Sequence, residues 1–261
     1  MRVRTIDVAF LARHNPGRTE VMRQREREAR QAGRPYRESR HWVAYDAVSP
    51  HLRRAVLIAE DDAFFSHDGL DWNEIRASAR KDLQTLRIAR GGSTITQQLA
   101  KNLWLGTQRT PLRKLEEVVL ALRLERSLSK KRIFELYLNV IEWGDGVYGA
   151  DAAARRWFGT TAGALTARQS VRLAAVIINP RRYSPVEAPR RIERRARMIE
   201  SRMRRRGELS ESDWREVLGL PATVPAPPVD TSRVPEPAAI DSGGAPATPE
   251  TVAVDSLGPG T

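Results

Sequence analysis

The sequence predicts a mainly α fold followed by a disordered C-terminal tail. Apolar residues recur at helical spacing in several segments, and helix-starting residues precede most of them. No segment alternates apolar and polar residues convincingly enough to indicate a β-strand. From Pro221 onwards, proline, alanine, glycine, serine and threonine dominate and aromatic residues are absent. Such a stretch buries too little apolar surface to fold.

The first two predicted helices differ in polarity. Residues 18–31 are mostly charged and predict a polar helix. Ser49 and Pro50 favour a helix start, because proline is pre-set for the first helical turn. A buried helix that ends near Glu60 is then predicted by four apolar residues, which are Leu52, Val56, Ile58 and Ala59.

The next predicted helices cover residues 72–88 and 94–105. Thr110 and Pro111 start a long amphipathic helix that runs to about Leu128. We expect its buried side to be apolar and to consist of Leu112, Leu115, Val118, Val119, Leu122 and Leu124.

Three capped helices complete the predicted body. Ser129 caps a helix that carries Ile133, Phe134, Leu136, Tyr137 and Leu138. Residues 166–169 fit a capping box, and residue 210 opens a further short helix. We therefore divide the chain into an N-terminal polar helical segment (1–40), a main domain (41–220) and the tail (221–261).

The composition favours an anionic partner and excludes some chemistry. The net charge is +12, and the 44 basic residues include only five lysines. Nucleic acid, a phospholipid surface or a phosphorylated substrate would suit this charge, although a solvated arginine-rich surface explains it equally well. The absence of cysteine excludes disulfides and thiolate metal sites, and the four histidines lack metal-ligand spacing.

A carboxylate at the end of the second predicted helix is the first candidate for catalysis. Glu60 follows an apolar run, so partial desolvation would raise its pKa and suit it to accept a proton. Taken alone, a Glu-Asp pair is more often a helix-end carboxylate bonded to backbone. Asp61 is expected to support this region, and Phe64 and His67 to serve packing and hydrogen bonding.

Residues 91–102 combine a glycine pair, hydroxyls, amides and a cation. The glycines before Ser93 offer a natural anion cradle at a helix start. Four polar side chains follow on the same helix: Gln97, Gln98, Lys101 and Asn102. A simple helix cap explains the hydroxyls but not this succession.

Residues 113–117 bring two cations and a second carboxylate. Arg113, Lys114 and Glu117 fit an i,i+4 salt-bridged surface, which is the commoner explanation of such a block when it is taken alone.

Together these blocks resemble the glycosyltransferase domain of peptidoglycan polymerases, found in monofunctional transglycosylases and in the front half of bifunctional penicillin-binding proteins. The matching segments are residues 60–69, 91–102, 113–117, 130–139 and 152–159. Phe134 stands where leucine is usual, and Trp157 where tyrosine is common. The resemblance extends from about residue 42 to about residue 189, and residues 139–146 resemble the monofunctional branch in particular.

The resemblance implies a lysozyme-like fold of two lobes and an enzyme that polymerises lipid II by an inverting displacement. It makes Glu60 the proton acceptor, and Glu117 is expected to position the donor or its leaving group. Lys101 and Arg113 are expected to bind diphosphate. The side chains expected to orient the donor sugars and phosphate are Ser93, Gln97, Gln98 and Asn102. No cofactor is required, and assistance by a divalent cation (Mg or Mn) is left open.

The same resemblance implies partners and a location. The expected partners are lipid II, the growing glycan strand and the membrane surface, with cell-wall synthesis proteins as further candidates and no nucleic acid. We expect the periplasmic face of a bacterial inner membrane. This branch usually has a transmembrane helix before the region that begins here near Pro16. Residues 1–15 are too polar for such a helix or for a signal peptide. We therefore expect either a native start that lies upstream and encodes an anchor helix, which we favour, or a truncated product with little cellular activity.

Two other functions are weighed against this one. A lysozyme-like glycan hydrolase would share the fold and a glutamate but would need no diphosphate-binding cations. A basic nucleic-acid-binding protein would explain the charge, yet it offers no reason for the polar block at residues 97–102.

Overall fold

A computed structural model describes residues 5–70, 93–108 and 110–219. Their helices are α1 (Glu20–Gln31), α2 (Pro50–Glu60), α3 (Ile95–Ala100), α4 (Pro111–Ser127), α5 (Lys130–Val140), α6 (Ala150–Phe158), α7 (Ala167–Val176), α8 (Arg190–Arg205) and α9 (Glu211–Leu218). The mainly α prediction is therefore confirmed. The helix predicted over residues 72–88, the glycine pair at 91–92 and the predicted tail lie outside the described residues.

Local capping sets several of these helix starts, as the sequence predicts. The hydroxyls of Ser129, Thr166 and Ser210 each accept a hydrogen bond from the backbone N–H three residues later. Thr166 and Ser210 also form capping boxes with the third residue of their helices. Because these bonds are local in sequence, their positions can be read without tertiary information.

Two groups of helices hold the candidate catalytic segments together. Helix α2 packs against α7 and α8, and α3 packs against α4 and α5. A single apolar cluster runs through both groups and includes the fully buried Leu52, Leu120, Phe134 and Ile199. The end of α2 is thereby fixed beside the start of α3.

Helix α4 buries Leu124 as predicted, but its buried face is otherwise shifted from the predicted one. Leu112 and Leu115 are 59% and 52% exposed, whereas Glu117 is 2% exposed and lies on the buried face with Leu120 and Leu124. Apolar residues occur on both sides of this helix, so their period alone does not choose between the faces. Neighbouring cations pair with Glu117, and this pairing makes burial of its carboxylate tolerable.

A small sheet, which the sequence pattern did not reveal, joins the N-terminal region to the body. Its strands are β1 (Ser39–Arg40), β2 (Glu142–Gly144) and β3 (Val147–Tyr148), in the order β1-β3-β2. β1 is parallel to β3, and β2 is antiparallel to β3. Strands of two or three residues are too short to show alternation. At Gly146 a Cβ would lie 2.1 Å from the carbonyl oxygen of Arg37, so this close approach requires glycine.

Helix α1 lies against the rest of the domain. Its Val21 and Met22 are buried in a cluster with Tyr148, and the helix packs on residues 101–105. The division of the chain at residue 40 stays a prediction. Within the described ranges, we find no helix with the length and apolar character needed to cross a bilayer.

Candidate active site

Glu60 is the last residue of α2, and two side chains from other elements hold its carboxylate. Oε1 accepts a hydrogen bond from Arg195 Nη2 at 2.7 Å. Oε2 accepts one from Gln98 Nε2 at 3.0 Å. The side-chain oxygen Oε1 of Gln98 in turn accepts a hydrogen bond from the hydroxyl of Tyr137 at 3.1 Å, which orients the side-chain amide. Side chains from α3, α5 and α8 therefore help to hold the carboxylate at the end of α2 in place.

The environment of Glu60 suits proton acceptance. Burial raises the pKa of this carboxyl above its ordinary value, and the nearby charges of Arg195 and Lys101 oppose that rise. A raised pKa brings a carboxylate closer to the basicity that proton transfer near neutral pH requires. The structure thus reproduces the desolvation that the apolar run before Glu60 predicts.

A cavity of about 530 Å³ opens beside Glu60. Its polar wall includes Ser93, Gln98 and Lys101 from the second sequence block, together with Arg191 and Arg195 from α8. The remaining wall comes from the segment between α7 and α8. The cavity therefore brings Glu60 and residues 91–102 together with α8, a helix that contains none of the sequence motifs.

Lys101 is partly buried at the junction between α3 and a π-helical turn, Lys101–Leu105. Such turns are often found at functional sites. Burial lowers the pKa of this lysine, and the carboxylates of Glu117 and Glu60 act in the opposite direction. Lys101 is thus within electrostatic reach of both candidate catalytic carboxylates.

A second charged group surrounds Glu117. Its two oxygens accept from Arg113 Nη1 at 2.7 Å and Lys114 Nζ at 2.5 Å. Lys114 also donates to the Ser93 hydroxyl at 2.8 Å, which connects this group to the wall of the cavity. The carboxylate is nearly inaccessible, so the surface salt bridge weighed from sequence does not describe it.

Three predicted substrate-binding residues do not line the Glu60 cavity, namely Gln97, Asn102 and Arg113, and the last of them pairs with Glu117. Gln97 forms a capping box with Thr94, with Oε1 accepting from the Thr94 N–H at 3.1 Å. The Asn102 side chain donates to the backbone carbonyl oxygen of Gln98 at 2.8 Å and lines a neighbouring cavity. The local contacts of Gln97 and Asn102 stabilise α3, and a substrate role for any of the three residues stays a prediction.

Asp61 and His67 connect the first two sequence blocks. The Asp61 carboxylate is 3.0 Å from His67 Nε2 and accepts from the backbone N–H of Ile95 at 2.9 Å. These contacts fix the start of α3 beside the end of α2. They fit the supporting roles expected for both residues.

Sequence reasoning missed two cations of this site. Arg195 was not singled out because α8 contains many arginines and no recognised motif. The sequence indicates Lys114 only as one cation of residues 113–117, without a role of its own, whereas the structure pairs it with the buried Glu117 and with Ser93. No spacing in the sequence distinguishes Arg195 from its arginine neighbours.

The donor set does not fit a divalent cation at Glu117. Both of its carboxylate oxygens already accept from cationic side chains. In the part of the chain that the structure describes, no group of three or more histidine or acidic residues could hold a metal ion. We therefore assign no metal to this carboxylate.

These contacts place a carboxylate with a raised pKa beside basic side chains in one cavity, an arrangement typical of enzymes that move a proton and release an anionic leaving group. The family model described as Transglycosylase matches residues 25–204. The chain belongs to this family, as its motifs indicated, and it is a glycosyltransferase.

Curated relatives support the same assignment. A protein of Methylobacillus flagellatus is 50% identical over 198 residues, covering 76% of this chain and 86% of the relative. Proteins of Chromobacterium violaceum and Laribacter hongkongensis are each 47% identical, covering 73% of this chain and 83% of each relative. All three are named biosynthetic peptidoglycan transglycosylase.

The contact between Arg195 and Glu60 predicts a pH effect. Arg195 lowers the pKa of Glu60 against the effect of burial. Replacing Arg195 by alanine removes that attraction, so the pKa should rise and the acid limb of kcat/KM should move to higher pH. Arg195→Lys keeps the charge and should hold the limb near its original position. An acid limb that stays in place in Arg195→Ala would contradict this coupling.

Proposed function

We propose that the protein polymerises lipid II into β-1,4-linked glycan strands and releases undecaprenyl diphosphate. The observation that carries this proposal is one cavity lined by both a partly buried carboxylate, Glu60, and a partly buried cation, Lys101. The names of the relatives support peptidoglycan synthesis and hence an association with the cell envelope.

In the proposed reaction, the 4-hydroxyl of the acceptor sugar attacks the anomeric carbon of the donor. Glu60 takes the hydroxyl proton as the new carbon–oxygen bond forms. The bond from the anomeric carbon to the diphosphate oxygen breaks, and the leaving group departs with the electron pair. A single displacement from the opposite face converts the α-linked donor into a β-1,4 link.

Negative charge that develops on the leaving diphosphate needs nearby cations. Lys101 and Arg113 are proposed for this role, with Glu117 holding Arg113 and Lys114 in place. Nε of Arg113 and Nε of Arg195 are buried and have no hydrogen-bond partner among the described residues. Buried donors without acceptors are costly, and an anionic substrate oxygen would satisfy them.

Ser93 and Gln98 are proposed to orient the sugars. Both line the cavity beside Glu60, and their contacts with Lys114 and Tyr137 hold them in place.

The direct test is incubation of the purified protein with labelled lipid II, followed by separation of polymer from monomer. The proposed function predicts long glycan products and release of undecaprenyl diphosphate. A glycan hydrolase would instead shorten preformed strands and leave lipid II unchanged. A nucleic-acid-binding protein would show salt-dependent DNA binding and no turnover.

We further propose that the protein works against the periplasmic face of a bacterial inner membrane. One face of α8 carries Arg190, Arg194, Arg197 and Arg205, which we call the arginine stripe. All four are exposed, and none forms an ion pair within the described part of the chain. The adjacent Arg191 lines the Glu60 cavity, so the stripe adjoins the site proposed to receive a lipid-linked substrate.

Replacing the first three arginines of the stripe by glutamine should weaken binding to vesicles that contain phosphatidylglycerol. At about 1 kcal/mol for each cation near an anionic surface, the loss should be roughly a hundredfold. Co-sedimentation with anionic and neutral vesicles measures it. A matched control neutralises three exposed arginines elsewhere, Arg13, Arg37 and Arg126. Equal losses in the two triple variants would contradict a role for the stripe in particular.

A further inference from the structure

Helix α1 contributes no side chain to the wall of the Glu60 cavity that the structure describes, yet it contacts the segment that forms much of that wall. The contact consists of four charged residues, Arg25 and Glu28 on α1, Glu142 on β2 and Arg181 between α7 and α8. We call these four residues the ion-pair bridge.

The geometry of the bridge is closely defined. Arg25 Nη2 lies 3.1 Å from Glu142 Oε2, and its Nε lies 3.2 Å from both oxygens of the same carboxylate. Arg25 Nη1 donates to Glu28 at 2.9 Å. Arg181 Nη1 donates to the same Glu28 oxygen at 3.3 Å. Two residues of α1 are thereby linked to β2 and to the segment after α7.

The centre of the bridge is buried. The side chains of Arg25 and Glu142 are 14% and 8% exposed. Burial raises the pKa of Glu142, while the charges of Arg25 and Arg181 act against the rise. A desolvated pair with several donors holds its geometry more firmly than an exposed pair, because breaking it strands a buried charge.

The segment anchored by Arg181 carries the other wall of the cavity. The wall residues on this segment are Ile177, Ile178, Asn179, Arg182 and Tyr183. The Asn179 carbonyl oxygen accepts from the N–H groups of Arg182 and Tyr183, both at 3.2 Å, so the segment forms a tight turn. Fixing Arg181 in this turn also fixes its neighbours.

A second cavity of about 290 Å³ is lined by residues of the bridge and by residues of the Glu60 cavity. Arg25, Glu142 and Arg181 lie on its wall with Lys101 and Asn179, and the last two also line the Glu60 cavity. The bridge therefore contacts the same segment through a cavity that shares wall residues with the Glu60 cavity.

We infer that the ion-pair bridge positions residues 177–183 for substrate binding, so that α1 controls the affinity of the site without touching the substrate. Arg25, Glu28, Glu142 and Arg181 are positioning residues in this scheme. The kinetic part of the inference rests on the proposed function, because its substrate is lipid II.

The test uses variants at the two accessible ends of the bridge, Glu28→Gln on α1 and Arg181→Ala after α7. Each should raise KM for lipid II in detergent roughly tenfold, an energy typical of coupling through a packed network, and leave kcat within about threefold of the parent. Amide hydrogen exchange in residues 177–183 should become faster in both variants. Arg181→Lys keeps the charge and should restore most of the affinity.

Glu26→Gln is the matched control, because Glu26 lies on α1 and pairs only with Arg18 and Arg30 among the described residues. It should leave KM and the exchange of residues 177–183 unchanged. The inference is overturned if Glu28→Gln and Arg181→Ala match this control in both measurements, or if they lower kcat while KM stays constant. If the parent does not polymerise lipid II, the proposed function fails, and the exchange measurement alone still decides whether the bridge holds the segment.

Discussion

Replacing Glu60 by glutamine is expected to reduce lipid II polymerisation by roughly 10²–10⁴-fold, the usual contribution of general-base catalysis. Glutamine keeps the size of the side chain and its ability to accept from Arg195, but it cannot take the acceptor proton. The loss should therefore appear in kcat. The thermal midpoint should change little, because the amide oxygen can still accept from Arg195, and Gln98 can turn its own amide so that its oxygen accepts from the new NH2 group.

Asp62→Asn provides the control for this change. Asp62 lies two residues beyond Glu60 and pairs with Arg206 on the surface. The same loss of one carboxylate should there leave turnover close to that of the parent. Turnover near the parental rate in Glu60→Gln would remove Glu60 from the role of general base.

Replacing Lys101 by methionine is expected to have the second large effect, a loss of roughly 10²–10³-fold in kcat, as for removal of one preorganised group that stabilises developing charge. Methionine fills a similar volume in this partly buried position and removes the cation that interacts with Glu60 and Glu117. Arg113→Ala should lower activity for the same reason. Both variants should also bind a non-reacting diphospholipid analogue more weakly than the parent.

The pH profile offers an independent test of Lys101. Burial lowers its pKa, so the cation should be lost at a lower pH than an ordinary lysine, and activity should fall on the alkaline side. Lys101→Arg keeps the charge at high pH and should move that limb upward. Lys131→Met, at an exposed lysine paired with Asp46, is the control. Parental affinity for the analogue in both Lys101→Met and Arg113→Ala would exclude their proposed contact with diphosphate.

Most helices could be predicted because their signals are local. A proline or hydroxyl residue at a helix start acts within three or four residues, so α2, α5, α7 and α9 begin where the sequence indicates. The side chains proposed from sequence for the cavity wall also lie close together in the chain. Ser93, Gln98 and Lys101 are within nine residues of one another, and all three line the cavity beside Glu60.

Features that depend on packing between distant segments could not be predicted. The apolar residues of α4 surround much of the helix, and only its contacts with α3 and α5 decide that Glu117 turns inward while Leu112 faces outward. The strands of the small sheet are too short to show a pattern, and they form only because residues 147–148 pair with both residues 39–40 and residues 142–144.

The sequence by itself determined the family, the helical class and the identity of the carboxylate proposed as base, because motif spacing and helix capping are properties of short segments. The tertiary structure decided which cations serve that carboxylate. Arg195 is 135 residues from Glu60 in the chain and is one of many arginines in α8. Only the packing of α2 against α8 brings its guanidinium to 2.7 Å from the Glu60 carboxylate. Two charged residues this far apart in the chain leave no periodic pattern in the sequence, because their contact depends on how the helices pack around the hydrophobic core.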